Sequence, residues 1–150
     1  MVAWQDLPWK HIHRHVFRLQ KRMYQATQRG DVRTACKLQK LLLKSWYARL
    51  LAVRRVTQDN RGKRTAGIDG LKSLSPPKRL ALAQALRLEG KATPLRRTWI
   101  PKRGSPDKRP LGIPTQADRA RQTLVRQALE PAWEAKLAPH TYGFRPGRSC

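Results

Sequence analysis

The sequence predicts a mainly helical fold with one small antiparallel β-hairpin, an α+β arrangement. Two observations carry this reading. Apolar residues recur at helical spacing through four segments, residues 6–29, 31–56, 76–89 and 116–137. Between the third and fourth lie two short apolar runs, 98–101 and 111–113, around a tight polar loop.

The first helix is expected over 6–29. Asp6 is placed to cap it, and Pro8 suits its first turn. Ile12, Val16, Leu19, Met23 and Ala26 form its apolar stripe, and Gly30 ends it. The second is expected as one continuous helix over 31–56, with Val32, Ala35, Leu38, Leu42, Trp46, Leu50, Val53 and Val56 along one stripe. Arg33, Lys37, Lys40, Lys44 and Tyr47 occupy another face. A short turn between two such helices predicts an antiparallel helical hairpin. Its basic face is either solvated or turned toward phosphates. Cys36 is expected to pack as a small residue.

Residues 58–70, QDNRGKRTAGIDG, form a polar loop with Gly62, Gly67 and Gly70 and the cations Arg61, Lys63 and Arg64. Such a loop either follows a nucleic-acid strand or links two parts of the chain. Ser75, Pro76 and Pro77 open the third helix, whose buried residues are expected to include Leu80, Ala83 and Leu86, with Leu82 beside them; Gly90 closes it. The fourth helix should bury Ala120, Leu124, Ala128 and Trp133, with Pro131 kinking or restarting it.

The hairpin tip is the most informative segment. Lys102, Arg103, Lys108 and Arg109 surround a single acid, Asp107, on a turn made by Gly104, Ser105 and Pro106. A basic hairpin tip suits a nucleic-acid backbone or a triphosphate. A second segment, YGFRPGR at 142–148, mixes aromatics, glycines and arginines. Such residues stack on bases and hold phosphates, or else the aromatics fill a core.

Charge narrows the partners. The 150 residues carry 33 Lys and Arg against 9 acids, a formal net charge of +24. Self-repulsion of that size opposes compaction, so a polyanionic partner is the natural counterweight. No apolar run approaches the roughly 20 residues of a spanning helix, so no membrane partner is expected. The N-terminus MVAWQDLPWKHIHRH shows no apolar core of signal-peptide type, so the expected location is the cytosol or nucleoid. Two cysteines are too few for a disulfide framework or a zinc site. His11, His13 and His15 alternate, and no metal site is expected from them.

The acids are scattered near helix ends and in basic loops, and no cluster has the convergence that two-metal phosphoryl transfer requires. Asp118, beside Arg119, is expected to start a helix or pair with an arginine. A phosphate-binding GxxxxGK[ST] loop, a Ser/His/Asp arrangement and a CxxC motif are all missing from the sequence. On the residues alone, this chain binds a phosphate-rich ligand and does not catalyse.

Taken in order, the motifs resemble the N-terminal part of a group II intron-encoded reverse transcriptase, or maturase. Thr65-Ala66-Gly67-Ile68-Asp69-Gly70 resembles the family's G-x-D-G loop. Ile100-Pro101-Lys102, then Arg109-Pro110-Leu111-Gly112-Ile113-Pro114 and Asp118-Arg119, resemble its first fingers block, and Tyr142-Gly143-Phe144-Arg145-Pro146-Gly147-Arg148-Ser149 the next. The resemblance implies an N-terminal helical hairpin at 1–57 that binds intron RNA, a template lid at 58–70, and the fingers subdomain of a right-hand polymerase at 71–150.

It also implies site roles. Lys102 and Arg109 would hold the incoming triphosphate, and Leu111 and Ile113 would lie beneath the templating base. Arg61, Lys63, Arg64, Gly67, Arg119, Arg145 and Arg148 would contact template RNA, and Arg33, Lys37, Lys40 and Lys44 the intron RNA. The implied partners are group II intron RNA, an RNA template with its DNA primer, deoxynucleoside triphosphates and a DNA target site, in a cytoplasmic ribonucleoprotein. The family's first palm aspartate and its Tyr-Ala-Asp-Asp motif do not occur here. The expectation is therefore a piece of a longer RNA-directed DNA polymerase, inactive alone and holding no cofactor, whereas the intact enzyme would use Mg²⁺. The competing readings are a stand-alone basic RNA-binding protein of ribosomal or chaperone type, and a nonspecific architectural DNA binder.

Overall fold

In the computed structural model, residues 3–143, 145 and 147 are described. Five α-helices and one hairpin appear in chain order: α1 (Trp9–Gln28), α2 (Val32–Lys44), α3 (Trp46–Arg54), α4 (Pro76–Ala85), β1 (Arg96–Pro101), β2 (Lys108–Ile113) and α5 (Gln116–Lys136). The mainly helical α+β expectation holds. Two compact units make up the chain. One comprises Met1–Leu7 and Arg49–Thr123, the other Pro8–Ala48 and Leu124–Cys150.

In the second unit, α1 buries Ile12, Val16, Leu19, Met23 and Ala26, the stripe its spacing predicts. It starts later than expected. Asp6 belongs to a separate 3₁₀ turn, Trp4–Asp6, and Pro8 takes the position before the first helical residue. Its end is a Schellman turn. Gly30 adopts φ 73°, its N–H donates to the Thr27 carbonyl at 3.0 Å, and the Asp31 N–H donates to the Ala26 carbonyl at 2.9 Å. Asp31 then caps α2 by accepting from the Thr34 N–H at 3.0 Å. Hydrogen bonding to the Thr34 side chain first, and to its backbone N–H second, holds the Asp31 carboxyl below its usual pKa. The one stretch 26–34 thus closes one helix and opens the next, and α1 packs against α2.

The continuous helix expected over 31–56 is two helices. Ser45 is extended (ψ 127°), and its Oγ accepts from the Ala48 N–H at 3.4 Å, opening α3. Serine competes with the backbone for such bonds, which favours a break. Beyond α3 the chain continues as a π-helical turn, Arg55–Asp59. Ala35, Leu38 and Leu42 are buried as predicted, but Val32 is exposed and so is Cys36, contrary to its expected packing role.

Pro131 does not restart α5, which runs as one helix from Gln116 to Lys136 with the proline inside it. A mid-helix proline orphans the carbonyl four residues earlier. Here that carbonyl, Gln127, accepts from Gln20 Nε2 of α1 at 3.0 Å, so the break in the ladder is filled from a neighbouring helix. Ala120, Leu124 and Ala128 are buried, whereas Trp133 is 58 % exposed rather than in the core. Arg145 is buried: it grips Glu134 through both Nε (2.9 Å) and Nη2, and Nη1 donates to the Ala138 and Thr141 carbonyls at 2.7 Å each.

In the first unit the core holds Trp4, Leu50, Val53, Val56, Leu74, Ala83, Leu86 and Ile113. Trp4 donates Nε1–H to Gln58 Oε1 at 2.9 Å, and Arg79 donates to the same oxygen at 3.1 Å. α4 stops at Ala85, four residues short of the expected end, because Leu86 turns extended (ψ 113°) and is buried. Leu80 and Leu82 are half-buried.

Candidate nucleic-acid interface

The hairpin is antiparallel, with Ile100 opposite Arg109, Thr98 opposite Leu111 and Arg96 opposite Ile113. The Lys102 N–H donates to the Asp107 carbonyl at 3.0 Å, which extends the register one pair toward the tip. Side chains alternate across a strand, so one face of the ribbon presents Lys102, Arg109, Leu111 and Ile113 together. Lys102 and Arg109 stand diagonally across the two strands. That face grades from a buried foot at Ile113 through exposed Leu111 to the exposed cations Arg109 and Lys102. The Lys102 Nζ lies 3.9 Å from the Asp107 carboxylate, a solvent-exposed pair worth little.

The same bond fixes which pairs are hydrogen-bonded. Pairs alternate along an antiparallel ladder, so Pro101 and Pro110 both fall in non-hydrogen-bonded pairs, where a missing N–H costs the ladder nothing. Gly104 at the tip takes φ 74°, the left-handed conformation that a tight loop here demands.

At the hairpin's foot, the glycine loop is fastened to the start of α5. Arg119 donates Nη1–H to the Gly62 carbonyl (2.8 Å), Nη2–H to the Thr65 carbonyl (2.8 Å) and Nε–H to the Pro114 carbonyl (3.0 Å). Burial lowers its pKa from the ordinary arginine value, with Asp69 pulling the other way. Gly67 is buried with its backbone against that of Thr115: an added Cβ would lie 2.7 Å from Thr115 Cα and N. Gln116 Nε2 donates to the Lys63 carbonyl at 3.3 Å, and the Ser73 N–H donates to the same oxygen at 2.9 Å. Residues 58–70 are thus an anchored loop, with Arg61 and Arg64 exposed on it and the Lys63 ammonium bonded to the Gln58 carbonyl at 2.6 Å.

Asp118 is the most heavily engaged acid in this unit. It accepts from the Thr93 N–H (2.9 Å), Thr115 Oγ1 (3.1 Å) and Arg121 Nη1 (2.6 Å), while its own N–H donates to Thr115 Oγ1. It both starts the helix and pairs with an arginine. Burial alone would raise its pKa; the Thr93, Arg121 and Thr115 bonds outweigh burial and hold it below the ordinary 3.8. A depressed carboxyl stabilises the fold fully above its unfolded pKa, and loses that effect as pH falls through its folded pKa. Asp118→Asn is therefore expected to lower stability by about 2 kcal/mol at neutral pH, from loss of charge-assisted bonds. In urea titrations the gap from wild type should hold down to about pH 4 and shrink below it. A gap that widens on acidification would contradict this account.

In the second unit, Arg33, Lys37, Lys40 and Lys44 are all exposed on α2 at spacings of three and four, and so form one row. A second exposed row on α1, Lys10, Arg14, Arg18 and Lys21, was not singled out from the sequence although its spacing is the same. His11 and His15, four apart on α1, both meet the edge of Tyr47, at 5.6 and 5.0 Å.

Besides the α2 row, the predicted site residues fall into three groups. Lys102, Arg109, Leu111 and Ile113 share the hairpin face. Arg61, Lys63, Arg64, Gly67 and Arg119 belong to the anchored loop, with Arg119 engaged by backbone carbonyls and Gly67 by close packing. Arg145 is buried in its ion pair, and Arg148 lies outside the described residues, as do Phe144, Pro146 and Ser149. The loop's fastening was missed, although Thr115-x-x-Asp118 has the spacing of a helix-start motif and was a legible signal.

Residues 4–86 match the family described as the N-terminal domain of reverse transcriptase. Maturase-like protein 1 of Euglena gracilis is 34 % identical over 152 residues, 95 % of this chain and 31 % of that protein. Protein YkfC of Escherichia coli (strain K12) is 43 % identical over 101 residues, covering 63 % and 26 % respectively. Group II intron-encoded protein LtrA of Lactococcus lactis subsp. cremoris is 40 % identical over 95 residues, covering 61 % and 16 %. The chain spans about a third or less of the length of these relatives. No helix among the described residues is long and apolar enough to cross a membrane. With more than half its length matched to that N-terminal domain, and with a maturase-like protein and a group II intron-encoded protein among its relatives, the chain belongs to the group II intron reverse transcriptase and maturase family, whose N-terminal region it carries.

Proposed function

We propose that this chain is the RNA-gripping N-terminal region and fingers of an RNA-directed DNA polymerase that also binds its group II intron RNA, assisting splicing and mobility. The observation that carries the reading is the shared hairpin face, where two cations stand above two apolar residues. Lys102 and Arg109 supply donors to a triphosphate, Arg109 as a fork able to bind two oxygens at once. Leu111 and Ile113, nearer the foot, offer an apolar floor to a base.

In this reading residues 58–70 act as the template lid and 71–150 as the fingers. Arg61 and Arg64 face the strand, Lys63 beside them. Gly67 and Arg119 hold the lid in place, and Arg145 ties the chain after α5 to Glu134, beside the template contacts expected of Arg145 and Arg148. The α2 row Arg33, Lys37, Lys40 and Lys44 meets the intron RNA, as phosphate contacts that position without reading sequence. The remaining partners are a DNA primer on the template, deoxynucleoside triphosphates and a DNA target site, in a cytoplasmic ribonucleoprotein. Magnesium belongs to the palm of the whole polymerase; this region contributes no ligand to it and is inactive alone.

The test is steady-state kinetics on the polymerase carrying this region. Arg109→Ala is expected to raise KM for the nucleotide by roughly ten- to a hundredfold, the loss of one charge-assisted fork. Template-primer affinity should change by less than about threefold. Equal losses in both would favour a plain RNA-binding protein.

A further inference from the structure

The hairpin has a second face. Arg97, Trp99 and Pro101 on β1 alternate with the residues of the triphosphate face, as do Lys108, Pro110 and Gly112 on β2. All six are exposed, and Trp99, at the middle of its strand, is 56 % exposed. Trp99 stands opposite Pro110 in a non-hydrogen-bonded pair, the arrangement in which cross-strand side chains come closest. Pro110 is thus the cross-strand neighbour of an indole that stays more than half exposed.

An exposed tryptophan on a two-stranded ribbon contributes little to a core. Its neighbours indicate what it meets. Arg97 lies two residues before it on the same strand and the same face, and Lys108 lies diagonally across. Asp107, the one acid between residues 90 and 117, pairs with Lys102 on the opposite face. The second face therefore presents an aromatic surface bounded by cations with no carboxylate among them. That combination complements a strand whose bases are free to stack and whose phosphates need neutralising. A duplex keeps its bases stacked inside and offers the indole none.

We propose that this face is a platform for single-stranded RNA, with one unpaired base on the Trp99 indole and flanking phosphates at Arg97 and Lys108. This platform is distinct from the triphosphate face and holds whether or not Lys102 and Arg109 bind a nucleotide.

The test uses the full chain and a fluorescein-labelled eight-nucleotide oligouridylate, read by anisotropy at low salt. Trp99→Ala is expected to weaken binding roughly tenfold, and Trp99→Tyr by less than about threefold, since a smaller ring still stacks. An abasic octamer with the same phosphates should bind wild type roughly tenfold more weakly than oligouridylate, a preference the Trp99→Ala chain should largely lose. Arg97→Ala and Lys108→Ala should each flatten the salt dependence by about one unit of slope. Arg109→Ala, measured alongside, reports on the other face and should change oligouridylate binding by less than about threefold; an unaltered Trp99→Ala together with a raised nucleotide KM for Arg109→Ala in the polymerase would overturn the platform and leave the triphosphate reading standing. The proposal is likewise overturned if Trp99→Ala binds like wild type, if duplex RNA shows the same Trp99 dependence, or if a DNA octamer binds equally well with the same Trp99 dependence. Because Trp99 is mostly exposed, the variant's thermal transition should stay near that of wild type, which separates lost stacking from lost folding.

Discussion

Gly67→Ala should destabilise the chain by about 2–3 kcal/mol, although it adds one methyl group and requires no unusual backbone angle. The added Cβ would lie 2.7 Å from both Cα and N of Thr115 and 2.9 Å from the Pro114 carbonyl carbon. Those are backbone atoms, not the flexible end of a side chain, so relief requires moving a segment. That segment is the junction between β2 and α5, held by the Arg119–Pro114 bond and by the Thr115–Asp118 cap. Moving it strains both. Gly70→Ala makes the contrast: an added Cβ there meets nothing within 4 Å, but φ is 70°. Its cost is conformational, on the order of 1 kcal/mol. Urea denaturation of the two variants should rank them in that order. A Gly67→Ala chain as stable as wild type would mean that the loop is not packed on Thr115.

The consequence reaches function through Arg119. Its three carbonyl partners come from the loop (Gly62, Thr65) and the hairpin's foot (Pro114), so it locks the two together. If the loop lies over a template, its aim depends on this lock. Gly67→Ala in the polymerase is accordingly expected to weaken template binding more than nucleotide binding, the reverse of Arg109→Ala.

Sequence reached some of these features and not others, for physical reasons. The α1–α2 turn was legible because glycine followed by a capping aspartate uses local chemistry at both positions, Gly30 in φ and Asp31 in its side chain. The hairpin was legible for the same reason: its turn residues and flanking apolar runs are local. The break at Ser45 was not, because the stripe from Leu42 to Trp46 to Leu50 keeps helical spacing on both sides of one extended residue. Pro131 misled in the opposite sense. Its local rule predicts a kink or a restart, yet the helix does not restart, and the carbonyl it orphans is taken by a distant residue, Gln20. Arg119 and Arg145 read as ligand contacts because a bare sequence cannot distinguish an arginine facing solvent from one whose donors are taken by carbonyls. Trp133 reads as the end of the buried stripe of Ala120, Leu124 and Ala128, and the structure leaves it exposed.

Replacing Arg33, Lys37, Lys40 and Lys44 together with glutamine should reduce RNA affinity on the order of a hundredfold near 0.1 M salt and flatten its salt dependence. Each cation that neutralises a phosphate adds roughly 0.7–0.9 to the slope of log affinity against log salt, so four should remove about 3. Over the decade from about 0.1 to 1 M salt, that slope corresponds to as much as a thousandfold, with the shortfall set by how many of the four touch phosphate at once. The side chains are exposed and glutamine is nearly as good a helix former as lysine, so helicity should be unchanged. The α1 row supplies the control. If Lys10, Arg14, Arg18 and Lys21 matter equally, the two quadruple variants will shift the slope alike, and the grip is diffuse attraction to a chain of charge +24. If the α2 variant alone flattens the slope, one helix face docks on the RNA. An unchanged slope in both would place the phosphate contacts elsewhere, with the hairpin and its exposed Arg97, Arg103 and Lys108 the next cations to remove.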